Sequence, residues 1–254
     1  MDRKVLITGA NGTLGQQLVQ LLGKELPLIL CARRQEDNTA NGMEWRRFDL
    51  ENPTTISMDG VKTIVHLASS IEKKSFKIDV EGTKDLLAQA LRNKVEHFVF
   101  ISIVGVDSFS TRYFRIKNQV EHEIQQSGIP YTILRSTQFF PFFEQEIIKY
   151  LRFPIAFLPS GILYQPIEIS VVAKKLAKIS LAEPVNGIVE IGGPEVLNLG
   201  EAARVFMEYK SLSKPIVNVP ISLLGKLGRT LQSGVLTTNE RNQDGLKWSE
   251  WLKK

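Results

Sequence analysis

Hydrophobic and polar positions follow two rhythms along the first half of the chain. Short β-branched runs at Val5–Thr8, Leu28–Cys31, Thr63–Leu67, His97–Ser102 and Tyr131–Leu134 read as buried strands, and Glu44–Arg47 as a shorter one. Between them lie stretches with apolar residues three and four apart. Thr13–Leu22 places Leu14, Leu18, Leu21 and Leu22 on one helical face. Phe76 to Asn93 does the same with Val80, Leu86, Leu87, Ala90 and Leu91, and Tyr113–Ser127 is a third amphipathic helix. Gly128-Ile129-Pro130 then stops the helix, with a C-cap glycine and a helix-breaking proline. This alternation predicts βαβ units, hence a parallel sheet with helices on both faces. The right-handed crossover rule makes a doubly wound sheet the commonest outcome.

After Arg135 the texture changes. Phe139, Phe140, Phe142 and Phe143 crowd together, and Pro154, Pro159, Gly161 and Pro166 punctuate short segments. Val171–Leu181, Leu199–Tyr209 and Ile221–Leu231 carry helical patterns, and Ile188–Ile191 a strand pattern. The expected architecture is α/β, with a dinucleotide-binding core over 1–135 to which strand 188–191 returns. A small discontinuous C-terminal lobe, 136–187 and 192–254, completes it, with ligand expected between the two at the carboxyl ends of the strands.

Composition narrows the chemistry. With 254 residues, 43% hydrophobic and 23% charged, the chain has ample material for a packed core. The excess of 32 Lys+Arg over 27 Asp+Glu gives +5, but it is scattered, which argues against nucleic acid as a partner. One cysteine and three histidines exclude a disulfide scaffold and leave no metal site to expect. Cys31 and His66 read as strand core residues. No apolar run approaches the ~20 residues of a membrane span and no targeting pattern opens the chain, so a cytoplasmic location is expected.

Candidate chemistry begins at Thr8-Gly9-Ala10-Asn11-Gly12-Thr13-Leu14-Gly15, between a predicted strand and a predicted helix. Glycines there allow a tight turn and close backbone approach, and the helix N-terminus favours a pyrophosphate. An acidic residue about 20 positions on normally takes the ribose 2′-hydroxyl of a dinucleotide. This chain instead has Arg33-Arg34 after its second strand, which suits a 2′-phosphate and so NADP(H) over NAD(H). A solvated basic loop is the alternative, since Glu36 and Asp37 follow. Tyr113 and Lys117, at i and i+4, share a helix face, where an ammonium would favour the phenolate and lower the phenol pKa. Ser102 ends the fifth strand, where its hydroxyl could orient a substrate carbonyl.

These motifs resemble the short-chain dehydrogenases/reductases, in particular the atypical, NmrA-like branch with its Rossmann fold. Val65-His66-Leu67-Ala68-Ser69-Ser70, Asp79-Val80-Glu81-Gly82-Thr83, Ile101–Asp107, Tyr131-Thr132-Ile133-Leu134-Arg135 and Gly192-Gly193-Pro194-Glu195 extend the resemblance in order along the chain. The resemblance implies a cofactor site from Gly9, Asn11, Gly12, Thr13, Leu14 and Gly15, with Ala68, Ser69 and Ser70 beneath the cofactor. It implies that Asp49 takes the adenine amino group and Leu50 lines the adenine pocket; a turn cap before Pro53 is the other reading of Asp49. It makes Ser102, Tyr113 and Lys117 the catalytic set, with Lys117 also donating to the nicotinamide ribose. Gln165-Pro166-Ile167-Glu168-Ile169 departs from the family pattern, leading to Ser170 as the expected helix cap in place of an Asp.

A substrate pocket from Gln138, Phe139, Phe140 and Phe143 would suit a flat quinone or ring ketone, although the same phenylalanines equally suit a core. The expected activity is NADPH-dependent hydride transfer to a small apolar carbonyl or quinone. The alternatives are a non-catalytic NADP(H)-binding redox-sensing regulator or assembly factor and, weaker, an NAD-dependent epimerase. A homodimer or a regulatory protein partner stays open.

Overall fold

The computed structural model describes residues 3–33, 43–70, 76–108 and 111–254. The chain divides into two compact units, Met1–Ser102 with Ser110–Arg135 and Val172–Val189, and Ile103–Phe109 with Ser136–Val171 and Glu190–Lys254. In order, the elements are β1 (Lys4–Thr8), α1 (Thr13–Leu22), β2 (Leu28–Ala32), β3 (Met43–Arg47), β4 (Val61–His66), α2 (Gly82–Arg92), β5 (His97–Ile103), α3 (Arg112–Gln125) and β6 (Tyr131–Ser136). There follow α4 (Phe140–Leu151), β7 (Ala156–Ser160), β8 (Leu163–Tyr164), α5 (Ile169–Leu181), β9 (Gly187–Ile191), β10 (Leu197–Asn198), α6 (Leu199–Tyr209), β11 (Ile216–Pro220), α7 (Gly225–Gln232) and α8 (Trp248–Trp251).

Among the described residues, seven strands form one sheet in the order β3-β2-β1-β4-β5-β6-β9. Pairing is parallel at β3–β2, β2–β1, β1–β4 and β4–β5. Strands covered on both faces must be apolar throughout, and β2 is buried at all five of its positions. The winding changes direction between β1 and β4, so the loops leaving those two strands diverge and open a crevice at their carboxyl ends. This is the doubly wound Rossmann sheet expected from the alternation.

Local chemistry explains where elements differ from the sequence pattern. The predicted helix from Phe76 begins as a wider π-type turn, Phe76–Glu81, before α2 proper. Asp79 lies in that turn, its carboxylate accepting from the Ser69 hydroxyl and the Ser70 N–H, both at 2.7 Å. The predicted helix Ile221–Leu231 is broken into a 3₁₀ turn, Ile221–Leu224, and α7 by Gly225, which takes φ +61°. Helix α5 starts at Ile169, so Ser170 lies inside it and is not the cap. Glu168, directly before it, is held below the usual carboxylate range by the ammonium of Lys254 and the Ser170 hydroxyl, which outweigh its partial burial.

In the second unit β7 pairs with β11 and β8 with β10. Its core is aromatic: Phe140 and Phe143 pack against Trp248, with ring centroids 5.9 and 5.2 Å away.

A line of side-chain hydrogen bonds crosses the first unit. Thr8 Oγ1 lies 2.7 Å from His66 Nδ1, and His66 Nε2 lies 3.0 Å from Thr83 Oγ1, which donates to the carbonyl of Asp79. Burial, aided by the Lys117 charge, pushes the His66 pKa down from 6.5 to about 3, so the ring is neutral at physiological pH. The unfolded chain therefore takes up a proton near pH 6.5 that the folded chain refuses until about pH 3. Stability from this site is complete above pH 6.5 and is lost on acidification towards pH 3. Urea unfolding should show His66 contributing a loss of roughly 2–3 kcal/mol between about pH 7 and about pH 4.5. A His66→Gln variant should have a shallower pH slope; an unchanged slope would contradict the assignment.

Candidate active site

The crevice between β1 and β4 is a cavity of about 860 Å³, within the range of small-molecule and cofactor sites. Its floor comes from the glycine loop. Gly9 sits at φ +69°, and a Cβ there would lie 2.9 Å from the backbone nitrogen of Ala68, so a side chain would force the two loops apart. Gly12 is the N-cap of α1 and has no side chain to satisfy the first-turn N–H groups, and no acidic residue stands in that turn. An uncapped helix start facing a cavity suits phosphate oxygens.

Gly9, Asn11, Gly12, Arg33, Asp49 and Leu50 line this one cavity, and so do Ala68, Ser69 and Ser70. Thr13, Leu14 and Gly15 form the first turn of α1 behind it, with Leu14 and Gly15 buried. Arg34 lies outside the described residues. Asp49 Oδ1 accepts from Glu51 N at 3.0 Å, as a turn cap does, and the residue also lines the cavity. Leu50 is buried, and its position depends on Gly82, where a Cβ would come within 2.4 Å of the Leu50 carbonyl oxygen.

Arg47 was not marked in the sequence, yet it lines the cavity with Arg33. Parallel pairing sets Arg47 against Ala32, the residue before Arg33, so both guanidinium groups leave the same end of neighbouring strands. The signal was available in the spacing of β3 from β2, but only the strand register converts it into proximity. Cys31, also on the cavity wall, keeps its proton, because burial raises its pKa to about 12.

A second cluster adjoins the cavity through Ser69. Lys117 is buried, with its ammonium 4.7 Å from the Phe100 ring centroid and under the influence of Asp79 and Glu121. Burial lowers the Lys117 pKa while those two carboxylates oppose the shift. Asp79 is its counterpart: burial raises its pKa against Lys117 and the two Ser donors. Glu121, one turn beyond Lys117 on α3, takes both Nε and Nη2 of Arg135, at 3.0 and 2.7 Å.

Tyr113 is 37% exposed, lies near Ser69 and sits in the field of Asp79. Its pKa is raised, first by burial and then by Asp79, with the Ser69 hydrogen bond acting weakly the other way. The lowering expected from a neighbouring ammonium is therefore not found; burial and the Asp79 charge raise the phenol instead. Ser102 is buried at the end of β5, and its hydroxyl has no partner among the described residues, leaving it a hydrogen bond to give.

The other predicted residues belong to the second unit. Phe140 and Phe143 are fully buried in its core, Phe139 is half-buried and stacks on Phe142, and the Gln138 amide is used at both ends, by Leu236 and Gln165. Among the described residues no His, Cys, Asp and Glu group could hold a metal, and no helix is long and apolar enough to cross a membrane.

The reversed sheet order, the glycine turn and the uncapped helix define a nucleotide-binding protein of the Rossmann class. A family model described as NAD(P)H-binding matches residues 9–141, and the chain belongs to that family. It is 25% identical to photosystem II assembly factor Ycf39 of Cyanophora paradoxa over 239 residues, covering 87% of this chain and 73% of the relative. It is 24% identical to an NAD(P)H azoreductase of Xenophilus azovorans, covering 86% of this chain and 77% of the relative. Its fold matches an NADPH-dependent quinone oxidoreductase of Escherichia coli solved with NADPH, with a TM-score of 0.76, 17% identity and 98% coverage of both chains.

Replacing Gly82 by Ala should press on the Leu50 backbone, lowering stability by about 1–3 kcal/mol and weakening dinucleotide affinity together. Thermal unfolding and fluorescence titration with NADPH would check this, and a Gly82→Ala protein unchanged in both would refute the packing argument.

Proposed function

We propose that the protein is an NADPH-dependent reductase of a small, mainly apolar carbonyl or quinone compound. The observation that carries the reading is the gathering of Tyr113, Ser69, Asp79 and Lys117 at the edge of a nucleotide-sized cavity. A cavity, an uncapped helix start and two arginines fit a phosphorylated dinucleotide, which when bound supplies the hydride. The rest of the chemistry falls to the chain. Tyr113 donates the proton to the substrate oxygen, Ser102 offers its unused hydroxyl to the same oxygen, and Lys117 holds a buried positive charge that can donate to the nicotinamide ribose. The NAD(P)H azoreductase among its relatives favours a nicotinamide-dependent reductase.

The assay is NADPH consumption against a panel of quinones, aldehydes and ketones. Turnover with at least one of them is expected, falling about a hundredfold or more in Tyr113→Phe. Undiminished turnover in that variant would remove Tyr113 as the acid.

Preference for NADPH is assigned to Arg33 and Arg47 at the 2′-phosphate. Equilibrium titration should show tighter binding of NADPH than NADH, with each of Arg33→Ala and Arg47→Ala reducing the preference roughly tenfold. Equal affinities in the unmodified protein would overturn the assignment.

A second reading, an NADP(H)-binding regulator or assembly factor, draws on aromatic surface in the second unit. Phe142, Phe153 and Phe157 are 69%, 55% and 57% exposed, the kind of side chain a protein partner would cover. The assembly factor among the relatives favours it too. Tight NADPH binding with no turnover across the panel would select this reading.

A further inference from the structure

We propose that the outer face of the β7–β11 pair in the second unit is a docking surface for an anionic lipid bilayer, seated by Phe153, Ile155, Phe157, Val217 and Val219. The proposal stands apart from the reductase reading, since a regulator would use the same face. It gives Phe153 and Phe157 to lipid in place of a protein partner.

Strand geometry makes the apolar part of this face. Successive side chains of a strand point to opposite sides, and residues abreast in parallel strands share a side. Phe157 lies abreast of Val217, and Pro159 abreast of Val219. Ala156 and Leu158 point inward, into one core with Phe143, Ala203 and Phe206. Phe157, Val217 and Val219 are left outward and exposed. Phe153 and Ile155, in the segment leading into β7, continue the exposed row at alternate residues. That segment is tied down. Lys214, just before β11, donates its ammonium to the carbonyls of Leu151 and Phe153, and Ala156 N donates to the Pro215 carbonyl at 2.9 Å.

Charge indicates what covers the row. Residues 147–167 contain two Lys or Arg and residues 209–239 contain four, and neither segment contains an Asp or Glu. Those six cations exceed the net charge of +5, so the excess that looks scattered along the sequence belongs to the two segments that β7 and β11 join. Arg152 lies over the Phe153 ring, 5.2 Å from its centroid, and Lys214 borders the same turn. The carboxylates bounding the segments are Glu146 and Glu168, paired with Lys149 and Lys254, and Glu208 and Glu240. A second copy of the chain seated here would set like charge against like. An anionic bilayer complements both parts of the face. Long Lys and Arg side chains reach its phosphates while their apolar neighbours sit at the acyl boundary.

The test is co-sedimentation of the full chain with sucrose-loaded vesicles of phosphatidylcholine, alone or mixed with phosphatidylglycerol. Binding to the mixed vesicles should be roughly tenfold or more tighter than to the neutral ones, and should weaken as salt is raised. Joint replacement Phe153→Ser and Phe157→Ser should lower it roughly tenfold or more, and Arg152→Glu about tenfold. Lys24→Glu, which reverses an exposed cation of the first unit, should change it by less than about twofold, because charges more than about 10 Å away are screened at about 0.1 M salt.

No binding by the unmodified protein, equal binding to both vesicles, or Lys24→Glu as damaging as Arg152→Glu would overturn the proposal. So would a folded double Phe variant that binds undiminished. Capture of soluble polyglutamate without vesicle binding would give the face to an acidic protein, and a dimer dissociated by the Phe substitutions would give it to a second copy; either overturns the lipid assignment. If the double variant does not fold, as circular dichroism would report, the Arg152→Glu and Lys24→Glu arms decide. Vesicle binding is read without NADPH or substrate, so failure on the substrate panel leaves it standing.

Discussion

The hydrogen-bonded line from Thr8 through His66 and Thr83 to Asp79 is the constraint on which the site depends. Thr8 Oγ1 also accepts from Leu67 N and Ala68 N, at 3.2 and 3.3 Å, so one hydroxyl couples the end of β1 to the loop leaving β4. The donor–acceptor order works only with a neutral imidazole, which accepts at Nδ1 and donates at Nε2. Burial enforces that state. The glycine loop, the Ala68 backbone that Gly9 touches, and the Asp79 carboxylate are thereby set in one frame.

Behind this frame runs a row of alternating charges. Asp79, Lys117, Glu121 and Arg135 are all buried, and each beyond the first compensates its predecessor. Three residues of α3, Tyr113, Lys117 and Glu121, fall at successive four-residue steps and so share one helical face. Buried ion pairs of this kind contribute little to stability on balance, because desolvation consumes most of the attraction. What they provide is position, since a buried ammonium between a ring face and two carboxylates has few other places to go.

How much of this was legible follows from what a linear pattern records. The glycine loop, the strand–helix alternation and Arg33 were visible because each depends on residues close in sequence. The Tyr113–Lys117 pair was visible for the same reason. Its electrostatics were not, because they depend on burial and on the charge of Asp79, which comes from another element. Arg47 needed the β2–β3 register. The crowded phenylalanines after Gln138 read equally as pocket or core, and tertiary packing places Phe140 and Phe143 against Trp248, more than a hundred residues on. The break at Gly225 depends on one backbone dihedral that an apolar helical pattern conceals.

The pairing of β1 with β4 joins Thr8 to His66, 58 residues apart, with β2 and β3 formed from the chain between. Closing so long a loop is an entropic cost met before the pairing returns any contacts, and folding slows as such separations grow. The two walls of the nucleotide cavity are made by this same closure. The glycine turn is itself held by the Cys31 carbonyl, which accepts from Gly9 N, so it too waits for the central strands to pair. Competence to take up the dinucleotide would arrive as one event with docking of the central strands, and ligand uptake during refolding would time that event directly.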